Sequence, residues 1–594
     1  MKPTDVKNPE YFHKVVDCQF ACPAHTPVPE YIRLIAAERY TDAYMINWES
    51  NVFPGILGRT CDRPCEPACR RGRVEDKPVA ICRLKRACAD MKDEIKARLP
   101  EIPKQKNGRR VALVGAGPSA LTVARDLMPL GYEVDLFETS AKPGGFMRTQ
   151  IPSFRLPEEV IDEETGYILD MGVNTFFNTR IESLKALLEK EYDAVFIGSG
   201  APSGRNLELP GYEQESGGNI RIGVEWLADI AFGHVEKCPE NVVVLGGGNT
   251  AMDCCRSALR LGAKNVKVLI RTPVDAMMAS PWEIEETQAE GIPILENRNP
   301  VAYVVEDGKL VGMKFDQIEY SVDADGRECF TPTGTDEVVD CEQVLLAIGQ
   351  GNAFHWIEKD IGIDFNDHGL PVLDPATHQS TLPKVFFGGD AAFGPRNIIT
   401  AVAQGHLAAL SIDLFLDGRD PHDRPAPGTT LVSQKMGIHD WSYASMVTEE
   451  ERHDVPHVDL REAVHSHTME VELGFDETLA NEEAQRCLNC DVETVFTAEK
   501  CIECDACIDV CPVSCLTFAE NEEEGQLRKK LNVPAHNLSQ PIFVSPPLQT
   551  GRAMVKDEDV CLHCGLCAER CPTAAWDMQK FLYITPRAGS QIAK

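Results

Sequence analysis

The chain has 594 residues, 43% of them hydrophobic, and a formal net charge of -33 from 59 basic and 92 acidic side chains. That length excludes one small domain and predicts three or more, each with enough core to stand without disulfide staples. The acidic balance excludes a general nucleic-acid or anionic-membrane binder, since both need basic surface, and it favours partners with cationic patches.

No basic start leads into an apolar stretch, and no run of about 18 apolar residues occurs. Neither a signal peptide nor membrane insertion is therefore expected, and a cytoplasmic location follows. The 23 cysteines fall mostly in tight groups, which reads as metal or cluster ligation rather than a disulfide framework. The scattered Cys238, Cys254, Cys255, Cys329 and Cys341 are expected to be buried small apolar residues.

Residues 1–104 read as a helical iron–sulfur domain. Ile32, Ile35, Ala36, Ala43 and Ile46 recur at helical spacing, and the flanking segments carry Cys18, Cys22, Cys61, Cys65, Cys69, Cys82 and Cys88. Zinc is the competing reading, but zinc is satisfied by four ligands. Thiols would be left over, which favours iron–sulfur.

Residues 105–238 open with Val111-Ala112-Leu113-Val114-Gly115-Ala116-Gly117-Pro118-Ser119-Ala120. This is a strand, a tight turn at Gly115, a close backbone approach at Gly117 and a helix start, which together form a dinucleotide fingerprint. The next strand ends in Glu138, an acid suited to a ribose hydroxyl and hostile to a 2'-phosphate. Residues 239–344 repeat the pattern with Gly246, Gly248, Asn249, Thr250 and Ala251, and here the second strand ends in Arg271. A basic residue at that point favours NADP(H) over NAD(H). A solvated surface arginine is the competing reading. Residues 345–418, from Leu345-Leu346-Ala347-Ile348-Gly349 through Gly388-Gly389-Asp390, resume the first nucleotide domain.

Proline- and charge-rich residues from Gly418 begin a linker over 419–484. Residues 485–594 hold Cys501, Cys504, Cys507 and Cys511 and then, with the same spacing, Cys561, Cys564, Cys567 and Cys571, each run ending in Cys-Pro. This is the bacterial two-cluster repeat, in which the fourth cysteine of each run ligates the other cluster. Glu520 to Asp557 reads as an insertion offering a docking surface. Cys515 falls outside the repeat.

Cys18-Gln19-Phe20-Ala21-Cys22-Pro23 and Leu57-Gly58-Arg59-Thr60-Cys61-Asp62-Arg63-Pro64-Cys65-Glu66-Pro67-Ala68-Cys69 resemble the N-terminal domain of the glutamate synthase small-subunit family. That family is related to the N-terminal part of dihydropyrimidine dehydrogenase. Pro143-Gly144-Gly145, Ile151 to Leu156, Val195 to Ala201 and the Gly389-Asp390 pair are similar to its flavin-domain elements. The resemblance implies an α/β fold of two Rossmann-like nucleotide-binding domains, the NAD(P) domain inserted in the FAD domain. An N-terminal α-helical Fe–S domain and a C-terminal α+β ferredoxin-like domain flank them.

The resemblance also implies FAD at Gly115, Gly117, Pro118, Ser119, Ala120, Glu138, Gly145, Gly389 and Asp390, with a helix cap as the competing role for Asp390. The family opens its domain with an Arg-Cys-x-x-Cys element that does not precede Cys18; Arg486-Cys487-Leu488-Asn489-Cys490 matches it far downstream. If that piece folds back, one [4Fe–4S] cluster takes Cys487, Cys490, Cys18 and Cys69. The other takes Cys22, Cys61, Cys65 and a fourth ligand. The family's fourth ligand aligns with Lys85, which cannot serve, leaving Cys82 or Cys88, and leaving one or two N-terminal clusters open.

Nicotinamide exchanges two electrons, clusters exchange one, and flavin does both, so such a core between cluster domains converts one currency to the other. The expected activity is an NAD(P)H oxidoreductase subunit exchanging electrons with a ferredoxin or partner redox enzyme, within a hetero-oligomer. The alternative is a glutamate synthase small subunit serving a separate large chain.

Overall fold

The computed structural model describes residues 1–434, 450–531, 533–535 and 537–590. The N-terminal part is helical, with Val28–Ala36, Tyr40–Asn51, Pro54–Thr60 and Ile81–Asp90 its main helices. In Val28–Ala36 the buried residues Val28, Tyr31, Ile32 and Ile35 fall on one stripe, as an amphipathic helix requires. Pro54–Thr60 crosses Ile81–Asp90 at Gly58, where a Cβ would stand 2.6 Å from the Arg86 Cα, so only glycine permits the crossing.

The first nucleotide-binding unit is a five-stranded sheet in the order Val385–Phe387, Ala194–Ile197, Arg110–Val114, Glu133–Phe137 and Asn174–Phe176, all parallel. The helix Pro118–Leu127 covers it and in turn packs against Ile398–Leu416. That second helix is long and apolar enough to cross a membrane, yet 67% of its apolar stretch is buried in protein. Gly405 lets the two helices close, since a Cβ there would meet the Ser119 carbonyl at 2.6 Å.

The second unit is a parallel sheet in the order Ile220–Ile222, Gln343–Leu346, Asn241–Leu245, Asn265–Leu269 and Ile294–Leu295. Its strands lie in sequence between two neighbours of the first sheet, Ala194–Ile197 and Val385–Phe387, so it is inserted in that unit. Boundaries at 239 and 345 therefore need correction. Ile220–Ile222 precedes the first, and Leu345 and Leu346 pair with Val244 and Leu245 rather than returning to the first sheet. A short apolar strand carries no mark of which sheet it will join. Three antiparallel strands, Arg298–Glu306, Lys309–Val322 and Glu328–Asp340, form a separate arm on this unit.

The C-terminal part contains two small antiparallel sheets. Trp576–Ile584 pairs with Val492–Phe496 and with Gly428–Ser433. The predicted linker 419–484 thus supplies a strand to the C-terminal sheet, and its helix Glu477–Ala484 packs on Val28–Ala36. Residues 435–449 of that linker lie outside the described residues. The predicted insertion Glu520 to Asp557 likewise contains Ala553–Lys556, which pairs with Leu516–Ala519. It is also partly covered by the chain's own start: the Thr4 amide donates to the Val544 carbonyl at 2.9 Å, and the Met1 ammonium to Asn521 Oδ1 at 2.8 Å. Cys254, Cys255 and Cys341 are buried as expected, whereas Cys238 and Cys329 are half-exposed, Cys238 donating to Gln343 Oε1 at 3.4 Å.

Candidate functional site

A cavity of about 560 Å³ lies between the two nucleotide-binding units. From the first unit it is lined by Gly115 to Ser119, Glu138, Gly145, Gly389 and Asp390, and from the second by Asn249, Thr250 and Asp253. The turn that lines it from the first unit, and the turn ahead of Asn249 in the second, both require glycine. Gly115 has φ +101° and a Cβ there would strike the Gly198 carbonyl at 2.5 Å; Gly246 has φ +136° and a Cβ would meet the Ala347 carbonyl at 2.2 Å. Helices Pro118–Leu127 and Asn249–Arg260 start at Gly117 and Gly248 with no side chain capping them. Their first-turn amides are therefore open to an anion, and both turns fit the pyrophosphate of a dinucleotide.

Glu138 is held over the first turn, its Oε2 accepting the Ala116 amide at 2.8 Å and its Oε1 the Ser140 amide at 2.8 Å. Asp390 Oδ1 accepts the Arg396 amide at 2.9 Å, and burial nevertheless pushes this carboxyl up to about 6. The N-terminal turn of Ile398–Leu416 also borders the cavity through Asn397, Ile398 and Ala401.

Arg271 is exposed at the end of its strand, its guanidinium 4.7 Å over the Phe330 ring of the antiparallel arm. No sequence motif marks that arm contact, because Phe330 lies far downstream of Arg271. Arg155 carries no fingerprint of its role at the site either. Its Nη1 donates to Asp253 Oδ1 at 2.6 Å and its Nη2 pairs with Glu283, tying the two units together at the cavity edge. Burial pushes Asp253 up to about 6 even beside this guanidinium.

Sixteen cysteines converge in four sets. Cys18, Cys69, Cys487 and Cys490 surround a small cavity otherwise walled mainly by Val28, Ile32, Val79, Ile81 and Leu488. The helix Glu477–Ala484, docked on Val28–Ala36, delivers the last pair there. Cys22, Cys61, Cys65 and Cys82 form the second set: Cys22, Cys61 and Cys82 pack together with Leu57 and Ile399, and Cys82 is close enough to interact with both Cys61 and Cys65. Cys88 is turned away, donating to the Lys85 carbonyl at 3.0 Å. Six residues at about 100° each place Cys82 and Cys88 on different faces of their helix. Burial alone would lower the Lys85 pKa, but the neighbouring sulfurs of Cys82, Cys61 and Cys65 outweigh it and raise it. Thr60 and Asp62, on either side of Cys61, line the large cavity.

The C-terminal repeat crosses over. Cys511 faces a small cavity with Cys561, Cys564 and Cys567, and Cys571 lies within charge-interaction range of Cys501 and Cys507. Cys515 lies 3.6 Å from Cys511 Sγ to Sγ. In three of the loops a backbone amide two residues on donates to the leading sulfur at 3.4 Å: Arg63 to Cys61, Glu503 to Cys501 and His563 to Cys561. Those three donors all have φ between +53° and +55°, so one loop conformation recurs at separate sites. Four convergent thiols per site, all free of disulfides, are the donor set of a [4Fe–4S] cluster.

Dinucleotide turns joined to cysteine clusters define the class: a flavin- and iron–sulfur-dependent NAD(P)H oxidoreductase. Family models agree along the chain. Residues 13–97 match the 4Fe–4S cluster domain II of dihydropyrimidine dehydrogenase, 113–190 an NAD(P)-binding Rossmann-like domain, 159–405 a pyridine nucleotide-disulphide oxidoreductase, and 500–575 a 4Fe–4S dicluster domain.

Among curated relatives, the NADP(+)-dependent formate dehydrogenase subunit beta of Moorella thermoacetica is 35% identical, covering 80% of this chain and 70% of its own. The NADPH-Fe(3+) oxidoreductase subunit beta of Geobacter sulfurreducens is 31% identical over 82% and 77%. The glutamate synthase [NADPH] small chain of Escherichia coli is 30% identical over 67% and 88%. The chain belongs to the glutamate synthase small-subunit-like family of FAD- and NAD(P)H-dependent oxidoreductases, here with a C-terminal two-cluster ferredoxin domain.

Proposed function

We propose that this chain is the electron-transfer subunit of a cytoplasmic hetero-oligomer, linking NADPH to a ferredoxin or a partner redox enzyme. One observation carries the reading: the cavity lined by the first glycine turn and by Asn249 and Thr250, which follow the second, is also lined by Thr60 and Asp62, the neighbours of Cys61. A nucleotide site that borders a cysteine site is what a two-electron to one-electron converter needs, and flavin supplies that conversion when bound.

In this reading the turn Gly115 to Ala120 holds the FAD pyrophosphate and Glu138 its ribose. Gly145, Gly389 and Asp390 line the rest of the flavin cleft. Gly246, Gly248, Asn249 and Thr250 hold the nicotinamide dinucleotide, with Arg271 on its 2'-phosphate. The four cysteine sets hold one [4Fe–4S] cluster each, Cys82 serving as the fourth ligand beside Cys22, Cys61 and Cys65. The buried Lys85 ammonium offsets negative charge there.

A glutamate synthase small subunit would account for residues up to about 415 but would leave the two C-terminal cysteine sites without a task. The test is anaerobic addition of NADPH to the FAD-loaded, iron-replete protein. Flavin bleaching followed by cluster reduction is expected; a loaded protein unresponsive to both NADPH and NADH refutes the proposal.

A further inference from the structure

The cysteine sites fall into an N-terminal pair and a C-terminal pair, and a buried arginine joins the two. Arg70 follows Cys69 directly and is 2% exposed. Its Nη1 donates to the carbonyl of Cys561 at 2.6 Å and to that of Glu558 at 2.6 Å, and it lies 3.0 Å from His563 Nε2. On the other side the Arg70 Nε is paired with Asp17, the neighbour of Cys18. Arg73, one turn on, reaches the same C-terminal loop through Asp559 at 3.2 Å. A fully desolvated guanidinium with four partners on two domains fixes their separation, because releasing it would strand a buried charge.

We propose that Arg70 is the positioning residue that sets the electronic contact between the Cys18–Cys69 site and the Cys561 site, and that electrons cross the protein by this junction. The inference rests on the ligand sets proposed above.

The order of sites follows from their places. The Cys61 site borders the nucleotide cavity. Cys18 and Cys22, and likewise Cys65 and Cys69, are four residues apart and serve adjoining sites. Arg70 then links Cys69 to Cys561 through one side chain and one hydrogen bond. Cys511 and Cys571 cross between the two C-terminal sites. The far site is the outward one: Cys504 is the exposed member of the sixteen and Ile502 beside it is 57% exposed, whereas Cys564, at the matching place in the other run, is half-buried. One electron moves at each junction, with no proton and no bond change, so the partner chain meets the Cys501 site and not the Cys561 site.

The test uses the loaded full-length protein, with cluster reduction by NADPH followed by freeze-quench electron paramagnetic resonance. In Arg70→Lys and Arg70→Met the N-terminal sites are expected to fill at the wild-type rate. The C-terminal sites should fill about tenfold more slowly or worse, equivalent to about 1.4 kcal/mol of barrier. Spin–spin broadening between the two halves of the fully reduced protein should diminish, a readout that a loss of stability alone would not move. Wild-type filling and broadening in an iron-replete Arg70→Met protein overturns the proposal.

Should Arg70→Met fail to fold, Arg70→Lys carries the junction test, and the double variant Cys487→Ser/Cys490→Ser tests the order of the sites. With the Cys18 site emptied, NADPH should leave the C-terminal sites oxidised while dithionite still reduces them; unchanged filling by NADPH overturns the order. If that variant retains all its iron, the ligand assignment fails instead, which separates the two claims.

Discussion

Replacing Arg271 with glutamate tests the nicotinamide half of the reading most directly. Arg271 is exposed, and its guanidinium is steadied by the Phe330 ring at 4.7 Å. A charge-assisted contact to a phosphate is worth about 1.5–3 kcal/mol, and solvent exposure puts this one at the low end. Glutamate removes that contact and adds repulsion of similar size, for a total of about 3 kcal/mol, or roughly a hundredfold in NADPH affinity. NADH carries no 2'-phosphate and should change little; a carboxylate can even accept its ribose hydroxyl. Anaerobic titration of the flavin absorbance with each nucleotide measures both affinities on one sample. Raising the ionic strength should shrink the wild-type preference, since an exposed pair is screened. Equal weakening of NADPH and NADH would refute the assignment. In Phe330→Leu the lost cation–π contact of about 0.5–1 kcal/mol should weaken NADPH by a few-fold and leave NADH unchanged.

Three further outcomes are expected. Cys82→Ser should cost about four irons per chain and Cys88→Ser none, taking four per [4Fe–4S] cluster; the opposite pattern would move the fourth ligand to Cys88. Arg155→Met should loosen the two nucleotide-binding units by about 3 kcal/mol of lost pairing, because Asp253 is left buried without its ion-pair partner while Glu283 keeps Arg256. Hydrogen exchange in Asn249–Arg260 should then rise, and unchanged protection would show that Arg155 holds nothing.

The third outcome concerns Glu164, which caps the helix Pro54–Thr60 that leads into Cys61: its Oε1 accepts Tyr44 at 2.9 Å and the Gly55 amide at 2.7 Å, and its Oε2 the Ile56 amide at 3.0 Å. Burial pushes its pKa from 4.5 up to about 7. A raised folded-state pKa means the stability it confers is present below 4.5 and lost as pH rises through about 7. The unfolding midpoint of the wild type should therefore fall relative to Glu164→Gln across that window, and a relative rise would contradict the assignment.

The local grammar of this protein was legible in its sequence. Gly115 and Gly246 announce their turns because no other residue tolerates that backbone beside a carbonyl. The two Cys-Pro runs announce a paired cluster module because thiolate ligands at that spacing need one loop conformation. In the proposed function, Glu138 and Arg271 mark their strand ends because a ribose hydroxyl calls for an acceptor and a 2'-phosphate for a cation. These signals are short-range, and the chain carries them whatever it packs against.

What only the tertiary structure decided is which distant pieces meet. Cys487 and Cys490 reach Cys18 and Cys69 because the helix Glu477–Ala484 docks on Val28–Ala36. Cys82 rather than Cys88 turns to Cys61 and Cys65 because of how the helix Ile81–Asp90 is rotated in its seat against Pro54–Thr60. Gln343–Leu346 joins the second sheet, Gly428–Ser433 joins the C-terminal one, and Arg70 finds the Cys561 carbonyl. None of these has a local signature, since each is fixed by burial and pairing with partners outside its own element, some of them hundreds of residues away.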